Sequence, residues 1–203
     1  MDKPVLYSYR RCPYAMRARM ALKYAGIAVE IREIALKDKP KSMLQVSPKA
    51  TVPVLVLDNG NVLEQSMDIM DWALQQSDKG RWLSLDSEHS QALIAENDGS
   101  FKQALDKYKY AIRFPEQPAE TYRQQGEVFL QKLEGLLNQN SYLLAEHISI
   151  VDVAIFPFIR QFASVDAIWF ETAPYPKLKH WLQSLISSEL FQSIMEKQPT
   201  YLD

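Results

Sequence analysis

Residues 10–24 read RRCPYAMRARMALKY, and their pattern is the strongest indication of the fold. From Pro13 onward, apolar residues recur at helical spacing with Arg and Lys on the other face, which indicates an amphipathic helix. Proline at the first helical position and Gly26 just past the end are typical of where helices begin and end. Because the apolar run from Val5 to Tyr9 comes directly before, we expect a short buried strand that leads into this helix.

Cys12 is the only cysteine in the chain, and it directly precedes the proline that opens the helix. In that place its sulfur faces free backbone N–H groups and the positive end of the helix dipole, which favour thiolate over thiol. We therefore expect the pKa of Cys12 to lie below that of a free cysteine, with Arg10, Arg11 and Arg17 adding to the effect. The alternative is a buried and inert cysteine, which the arginines and the proline beside it disfavour.

Ala15 stands where a dithiol protein would carry its second cysteine. A dithiol cycle within one subunit is therefore impossible. Any redox cycle needs an external thiol and passes through a mixed disulfide on Cys12. This pattern points toward glutathione.

The remainder of the first 76 residues alternates short strands with helices. AVEIREI alternates apolar and polar residues as a half-exposed strand does, and KPKSMLQVS is a weak helix candidate. Two apolar runs around Asp58-Asn59-Gly60 predict a β-hairpin, and Ser66 can cap a third helix. The order β-α-β-α-β-β-α, with a parallel crossover first and a hairpin last, predicts an α/β domain of thioredoxin type.

Two further motifs of this domain can contact a ligand. A trans proline entering a central strand removes a ladder donor, so we expect a cis bond between Val52 and Pro53. That bond would leave the N–H and C=O of Val52 free to pair with an extended peptide ligand. At Gln65-Ser66, the backbone N–H groups of a helix start, together with a hydroxyl, can form a carboxylate site. The alternative there is a plain helix cap.

The second half of the chain is predicted to be entirely helical. Its helices cover roughly 87–112, 119–138, 150–164 and 176–187, followed by a short terminal one. Ser149 to Asp152 forms a capping box with Asp in place of Glu or Gln, and Pro157 is expected to kink the helix. We therefore predict a first domain over 1–76, a linker over 77–86 and an all-helical domain over 87–203.

Composition limits the class of protein and its location. One cysteine among 203 residues cannot form an internal disulfide. The first residues lack the apolar stretch of a signal peptide, and no window approaches the roughly 20 apolar residues of a membrane helix. We therefore expect a cytoplasmic protein with no membrane partner.

The distribution of charge limits the ligands. Residues 1–50 carry eleven Lys and Arg against four Asp and Glu, while the rest carries twelve against twenty-one. This asymmetry indicates either solvated helix faces or a positive field around the thiol that suits an anionic ligand. The basic residues form no long stripe with interleaved aromatics, so nucleic acid is not an expected partner. The three histidines lack metal-ligand spacing, so no metal is expected.

Four ordered segments, CPYAMRARMALKYAGI, LKDKP, SPKATVPVL and LEQS, together resemble the N-terminal domain of the cytosolic glutathione transferase superfamily. The resemblance is to its cysteine-type omega class and bacterial relatives, and it extends more loosely into the helical half. It implies a glutathione transferase fold, in which a thioredoxin-like domain binds glutathione and an all-helical domain lines the second-substrate pocket. A homodimer is implied as well.

The same resemblance implies a set of site residues. Cys12 would be the catalytic thiol. Tyr14 would pack beside glutathione, Val52 would pair with its cysteinyl backbone, and Pro53 would be the cis residue. The remaining binding residues would be Lys39 at the glycyl carboxylate, Gln65 and Ser66 at the γ-glutamyl end, and Thr51 in the same groove. Gln65 departs from the Glu more usual in this class, which replaces an ionic partner with a hydrogen bond.

The function that these features favour is that of a glutathione-dependent thiol transferase or reductase. Glutathione would be the cosubstrate and a small disulfide or electrophile the partner; deglutathionylation, small-disulfide reduction and dehydroascorbate reduction all fit. One alternative is conjugation of glutathione to electrophiles. Another is a non-enzymatic binding module of the same fold, as in bacterial starvation proteins, because fold alone does not fix function.

Overall fold

The computed structural model describes residues 3–84 and 87–203, so residues 85 and 86 of the predicted linker lie outside the described part. The chain forms two compact units. The first contains the residues up to Arg81 together with Ser188–Asp203, and the second is Trp82–Ser187. Residues 188–203, predicted as part of the helical domain, belong by their contacts to the first unit.

The first unit is built around a four-stranded sheet. Its elements before Arg81 are β1 Val5–Ser8, α1 Pro13–Tyr24, β2 Glu30–Glu33, α2 Lys41–Val46, β3 Val54–Val56, β4 Val62–Leu63 and α3 Ser66–Gln76. The strand order is β2-β1-β3-β4. β1 pairs parallel with β2 and antiparallel with β3, and β3 pairs antiparallel with β4. The predicted thioredoxin-type order of elements is confirmed.

The helices of this unit cover apolar residues of the sheet. α1 packs against α3. The side chains of Tyr7, Ile34, Met43 and Val54 form one buried cluster, to which α2 contributes Met43. Met43 is the only residue of the short α2 that is buried. α2 itself therefore contributes one buried side chain to this cluster, while the residues at its two ends, Pro40 and Ser47, are also buried.

The predicted polar face of α1 is only partly exposed to solvent. Lys23 is exposed, but Arg17 and Arg19 are 2% and 4% exposed. The expectation that the basic residues of this helix all face away from the core is therefore wrong for these two. Each guanidinium stays inside because it finds hydrogen-bond acceptors there, which offset the cost of burying a charge.

Two turns near the sheet follow local sequence signals. The peptide bond between Val52 and Pro53 is cis, as predicted. The hairpin at Asp58–Gly60 is also confirmed: the N–H of Leu57 donates to the carbonyl of Asn61 at 2.8 Å, and Gly60 takes a φ of +83°. Ala50, two residues before Val52, has a φ of +56°, which is unusual for a residue other than glycine.

The second unit is helical. Its elements are α4 Ser87–Glu96, a π-helical turn Asn97–Phe101, α5 Lys102–Lys109, a 3₁₀ turn Ala111–Arg113, α6 Ala119–Leu137, α7 Ile150–Ala163, α8 Ala167–Thr172 and α9 Pro176–Ile186. The predicted single helix over 87–112 is thus interrupted, with Gly99 inside the π-helical turn, and α8 was not predicted. The described helices include none that is long and apolar enough to cross a membrane.

The capping box at the start of α7 is confirmed. Asp152 is fully buried, and its Oδ2 accepts from the N–H and the hydroxyl of Ser149 at 2.9 and 2.8 Å. Its Oδ1 accepts from the N–H of Leu143 at 3.0 Å and the indole N–H of Trp181 at 2.9 Å. Four donors therefore meet one carboxylate, which fastens α7 to α9 and to the preceding loop. Asp152 is therefore a structural residue.

The last helix, α10 Glu189–Ile194, belongs to the first unit and packs against α1. Phe191 and Ile194 are its buried residues. The segment after it runs back to the sheet, where Thr200 forms a parallel bridge with Glu33 at the end of β2.

We predict that Ala50→Gly changes the free energy of unfolding by no more than about 1 kcal/mol. Relief of the left-handed φ offsets the extra entropy that glycine loses on folding. Ala50→Val should destabilise by about 2 kcal/mol or more, because a β-branched residue is poorly tolerated at positive φ. Urea denaturation measures both. The same two substitutions at Ala28, an exposed loop residue without positive φ, are the control. Equal effects at the two positions would contradict the prediction.

Candidate functional site

Cys12 occupies the N-cap position of α1, and Pro13 is the first helical residue. Its backbone is extended, with φ −76° and ψ 122°, and its carbonyl accepts the first helical hydrogen bond, from Met16 N–H at 2.9 Å. The N–H of Cys12 donates to the carbonyl of Tyr9 at 3.0 Å, which closes the turn between β1 and the helix. The thiol is half-buried. The chain therefore holds its one thiol at a helix N-terminus, as the sequence predicts.

The structure brings Cys12 together with the cis-proline motif. The thiol of Cys12 donates to the carbonyl oxygen of Val52 over an Sγ–O distance of 3.8 Å. This bond is weak, because S–H is a poor donor, and it favours the protonated thiol. Within the described ranges, the N–H of Val52 has no hydrogen-bond acceptor. The backbone of the residue before the cis proline thus lies directly beside the sulfur.

Ser66 lies at the start of α3 but is not its cap. The N-cap residue is Gln65, with extended backbone angles, and Ser66 is the first helical residue. The prediction that Ser66 caps the helix is therefore wrong by one position, because the chain is already helical at Ser66. Its buried hydroxyl accepts from Nε of Arg17 at 2.9 Å. This bond joins α3 to the first half of α1, which begins directly after Cys12.

The other predicted binding residues lie in α1, before α2, before β3 and at the N-cap of α3. Tyr14 is half-buried in the first turn of α1, and its ring lies 5.0 Å from the Arg17 guanidinium carbon. Lys39 is half-buried just before α2, while Thr51 and Gln65 are exposed. In residues 3–84 and 87–203, the side chains of Lys39, Thr51 and Gln65 make no hydrogen bond to the protein.

Arg19 supports the loop that leads to Cys12. Its guanidinium donates to the hydroxyl of Ser8 at 2.5 Å and to the carbonyls of Arg10 and Tyr9 at 2.7 and 3.4 Å. Burial lowers the pKa of Arg19 to about 10, and the negative groups of Glu33 and Cys12 oppose that fall. Arg19 therefore stays protonated at neutral pH. Because attraction between charges is mutual, the Arg19 cation favours the thiolate of Cys12.

Three contacts near the site were not predicted. They are the bond from Arg17 to Ser66, the bonds from Arg19 to the loop before Cys12, and the bond from the Ser47 hydroxyl to Glu64 at 2.5 Å. The repeat Arg-x-Arg within an otherwise apolar helix was the available signal for the two arginines. Nothing local marks Ser47 and Glu64 as partners, because they lie 17 positions apart.

This arrangement suits a small peptide with a thiol. The cysteine can form a bond to sulfur, the backbone beside it can pair with a peptide, and the start of α3 presents N–H groups that suit a carboxylate. No group of three or more potential metal ligands occurs in the part of the chain that the structure describes.

Comparison with known families gives two matches. The family model of the glutathione S-transferase N-terminal domain matches residues 6–82. The family model of the glutathione S-transferase C-terminal domain matches residues 94–189. Together they span most of the chain.

Individual proteins agree with these matches. Glutathione S-transferase omega-1 of Mus musculus is 27% identical over 200 residues, 97% of this chain and 82% of that protein. Maleylacetoacetate isomerase of Mus musculus is 27% identical over 209 residues, 97% of this chain and 94% of that protein. A glutathione transferase family member from Pseudomonas fluorescens, solved with two glutathione bound, has a TM-score of 0.82 at 19% identity, covering 96% of this chain and 93% of its own. That last likeness shows the fold.

We predict that Arg19→Met shifts the alkylation of Cys12 by iodoacetamide to higher pH, by about one pH unit, because a buried cation that favours the thiolate is lost. Arg19→Lys keeps the charge and should shift the profile less. Lys23→Met, which removes an exposed cation from the last turn of α1, is the control. Circular dichroism checks that each variant is folded. Identical profiles for Arg19→Met and the native protein would contradict this role.

Proposed function

Because the chain belongs to the glutathione S-transferase family, we propose that it is a glutathione-dependent thiol transferase or reductase that works through Cys12. The observation that carries the proposal is the position of the Cys12 sulfur at the N-terminus of α1, 3.8 Å from the Val52 carbonyl and beside the cis Pro53. A sulfur in this place can both attack a disulfide and lie against a bound peptide.

The reaction consists of two thiol–disulfide exchanges. The Cys12 thiolate attacks the glutathionyl sulfur of a mixed disulfide; the S–S bond breaks, and the substrate leaves as a thiolate that takes up a proton. A second glutathione, as thiolate, then attacks the glutathionyl sulfur on Cys12. Oxidised glutathione leaves and the Cys12 thiolate is restored. The substrate disulfide is reduced, and glutathione is the reductant.

The helix N-terminus serves both steps. It increases the fraction of Cys12 present as thiolate in the first step, and it makes Cys12 the better leaving group in the second. The hydrogen bond to the Val52 carbonyl opposes this in the empty site. A bound ligand that takes the hydrogen-bonding groups of Val52 would remove that competition.

Three groups of residues in the first unit would each bind a different part of glutathione. Val52 would pair with the cysteinyl backbone, with Pro53, Thr51 and Tyr14 lining the groove. Gln65 and Ser66 would hold the γ-glutamyl end. The Ser66 hydroxyl accepts a hydrogen bond from Arg17, so the hydroxyl proton can be donated to a carboxylate of the ligand. Lys39 would approach the glycyl carboxylate. The basic excess of residues 1–50 suits this anionic ligand.

Substrate, location and assembly complete the proposal. Glutathione mixed disulfides, small disulfides and dehydroascorbate are the substrates that fit a single catalytic thiol. A cytoplasmic location fits, because a reducing compartment keeps both Cys12 and glutathione as thiols. A homodimer is expected from the family, and size-exclusion chromatography with light scattering measures it.

Isomerisation of maleylacetoacetate is a second candidate, favoured by the 27% identity to an isomerase over 94% of its length. An isomerisation needs no net oxidation or reduction, so it would not require the exchange cycle above. Direct assay with maleylacetoacetate, in parallel with a disulfide assay, distinguishes the two activities.

We predict that Cys12→Ser lowers glutathione-dependent reduction of a small mixed disulfide at least about a hundredfold, because serine cannot form the disulfide intermediate. Binding of glutathione, measured by calorimetry, should persist. As the matched control, Ser100→Cys is added to Cys12→Ser; this moves the single thiol to an exposed position in the second unit and should not restore activity. Full activity of Cys12→Ser would contradict the proposal.

A further inference from the structure

The helix α2 begins without a local cap. Its N-cap residue is Pro40, which has no side-chain acceptor, and its first turn contains no acidic residue. A helix start leaves backbone N–H groups unpaired, and a carboxylate near them is stabilising. In this chain the carboxylate comes from Asp203, 161 positions away. It accepts from the N–H of Ser42 at 3.2 Å and from the Ser42 hydroxyl.

The segment that carries Asp203 is anchored along the edge of the sheet. Thr200 bridges to Glu33, and the N–H of Tyr201 donates to the carbonyl of Glu33 at 2.8 Å. The Tyr201 ring stands edge-on to Tyr7, with centroids 6.3 Å apart, and the Arg32 guanidinium carbon lies 4.5 Å from its centre. These contacts fix the direction in which the chain reaches α2.

The same segment is also held at its other end, beside Cys12. Nη1 of Arg10 donates to the carbonyl of Met195 at 3.5 Å, and Nη2 of Arg19 lies 3.9 Å from the Met195 sulfur. Residues 195–203 therefore connect the loop before Cys12 with the start of α2.

The charge of Asp203 suits this contact. The Ser42 hydroxyl, followed by the N–H groups of Ser42 and Lys41 and by the charge of Arg32, holds the pKa of Asp203 below its ordinary value. At neutral pH the side chain is therefore an anion facing a helix N-terminus.

We propose that residues 199–203 form a clasp that fixes α2, and that Asp203 is thereby a positioning residue for the glycyl end of bound glutathione. The proposal rests on the proposed function, in which Lys39 approaches the glycyl carboxylate. Lys39 and Pro40 directly precede α2, whose one buried residue is Met43. With so little apolar packing, the clasp decides how firmly the backbone after Lys39 is held.

The consequence is selective for one part of the ligand. If α2 is already ordered, less conformational entropy is lost when Lys39 becomes fixed on glutathione binding, so binding is tighter. γ-Glutamylcysteine lacks the glycine, so its terminal carboxylate ends one residue short of the place where Lys39 would meet the glycyl carboxylate. The clasp therefore raises affinity for glutathione and leaves affinity for γ-glutamylcysteine unchanged.

Calorimetry on the full chain with both peptides tests this. Asp203→Ala should weaken glutathione binding about three- to tenfold, since one charge-assisted hydrogen-bonded contact is lost, and should not change the Kd of γ-glutamylcysteine. Asp203→Glu, which keeps the carboxylate, should recover part of the loss. Glu196→Ala, which removes an exposed carboxylate from the same segment but outside residues 199–203, is the control and should change neither Kd. An equal loss for both peptides, or no loss for glutathione, would overturn the proposal.

Hydrogen exchange separates the clasp from the proposed function. In the ligand-free protein, Asp203→Ala should speed exchange of the α2 amides and leave those of α3 unchanged. Unchanged exchange in α2 would overturn the clasp. Native protein that binds neither peptide would instead contradict the proposed function.

Discussion

The burial of two arginines in α1 is the constraint on which the rest of the first unit depends. A guanidinium inside a protein must be surrounded by acceptors, because an unpaired buried charge is very costly. Arg17 finds the Ser66 hydroxyl at the start of α3, and Arg19 finds Ser8 and the carbonyls of the loop before Cys12. These hydrogen bonds join α1 to α3 and to the loop that follows β1, next to the thiol; Nε of Arg19 is buried without a hydrogen-bond partner in the described residues.

The groups that surround the Cys12 thiol act on its protonation in opposite directions. The helix N-terminus and the Arg19 charge favour the thiolate, while the Val52 carbonyl favours the thiol. The proportion of thiolate to thiol therefore depends on whether a ligand takes the hydrogen-bonding groups of Val52 away from the thiol. A peptide ligand would thus prepare the sulfur for reaction as it binds. Since the chain has one cysteine, the partner thiol must come from that ligand.

Local signals made much of this predictable. Pro13 after Cys12, the hairpin at Asp58–Gly60 and the box at Ser149–Asp152 each depend on a few adjacent residues, and the structure has all three. The burial of Arg17 and Arg19 was not predictable from helical spacing, because the acceptors come from other elements. The contact of Asp203 with Ser42 joins residues 161 positions apart, and no periodicity reports such a pair. The cap of α3 was predicted one residue too late, at Ser66 instead of Gln65, because the exact end of a helix is uncertain by one or two residues.

If Cys12 forms a covalent intermediate with glutathione, mass spectrometry of the intact protein can detect it. After incubation with oxidised glutathione, we expect a mass increase of one glutathionyl group, located on the peptide that contains Cys12 and removed by added glutathione. Turnover of a mixed disulfide without any adduct on Cys12, or an adduct that glutathione fails to release, would contradict it.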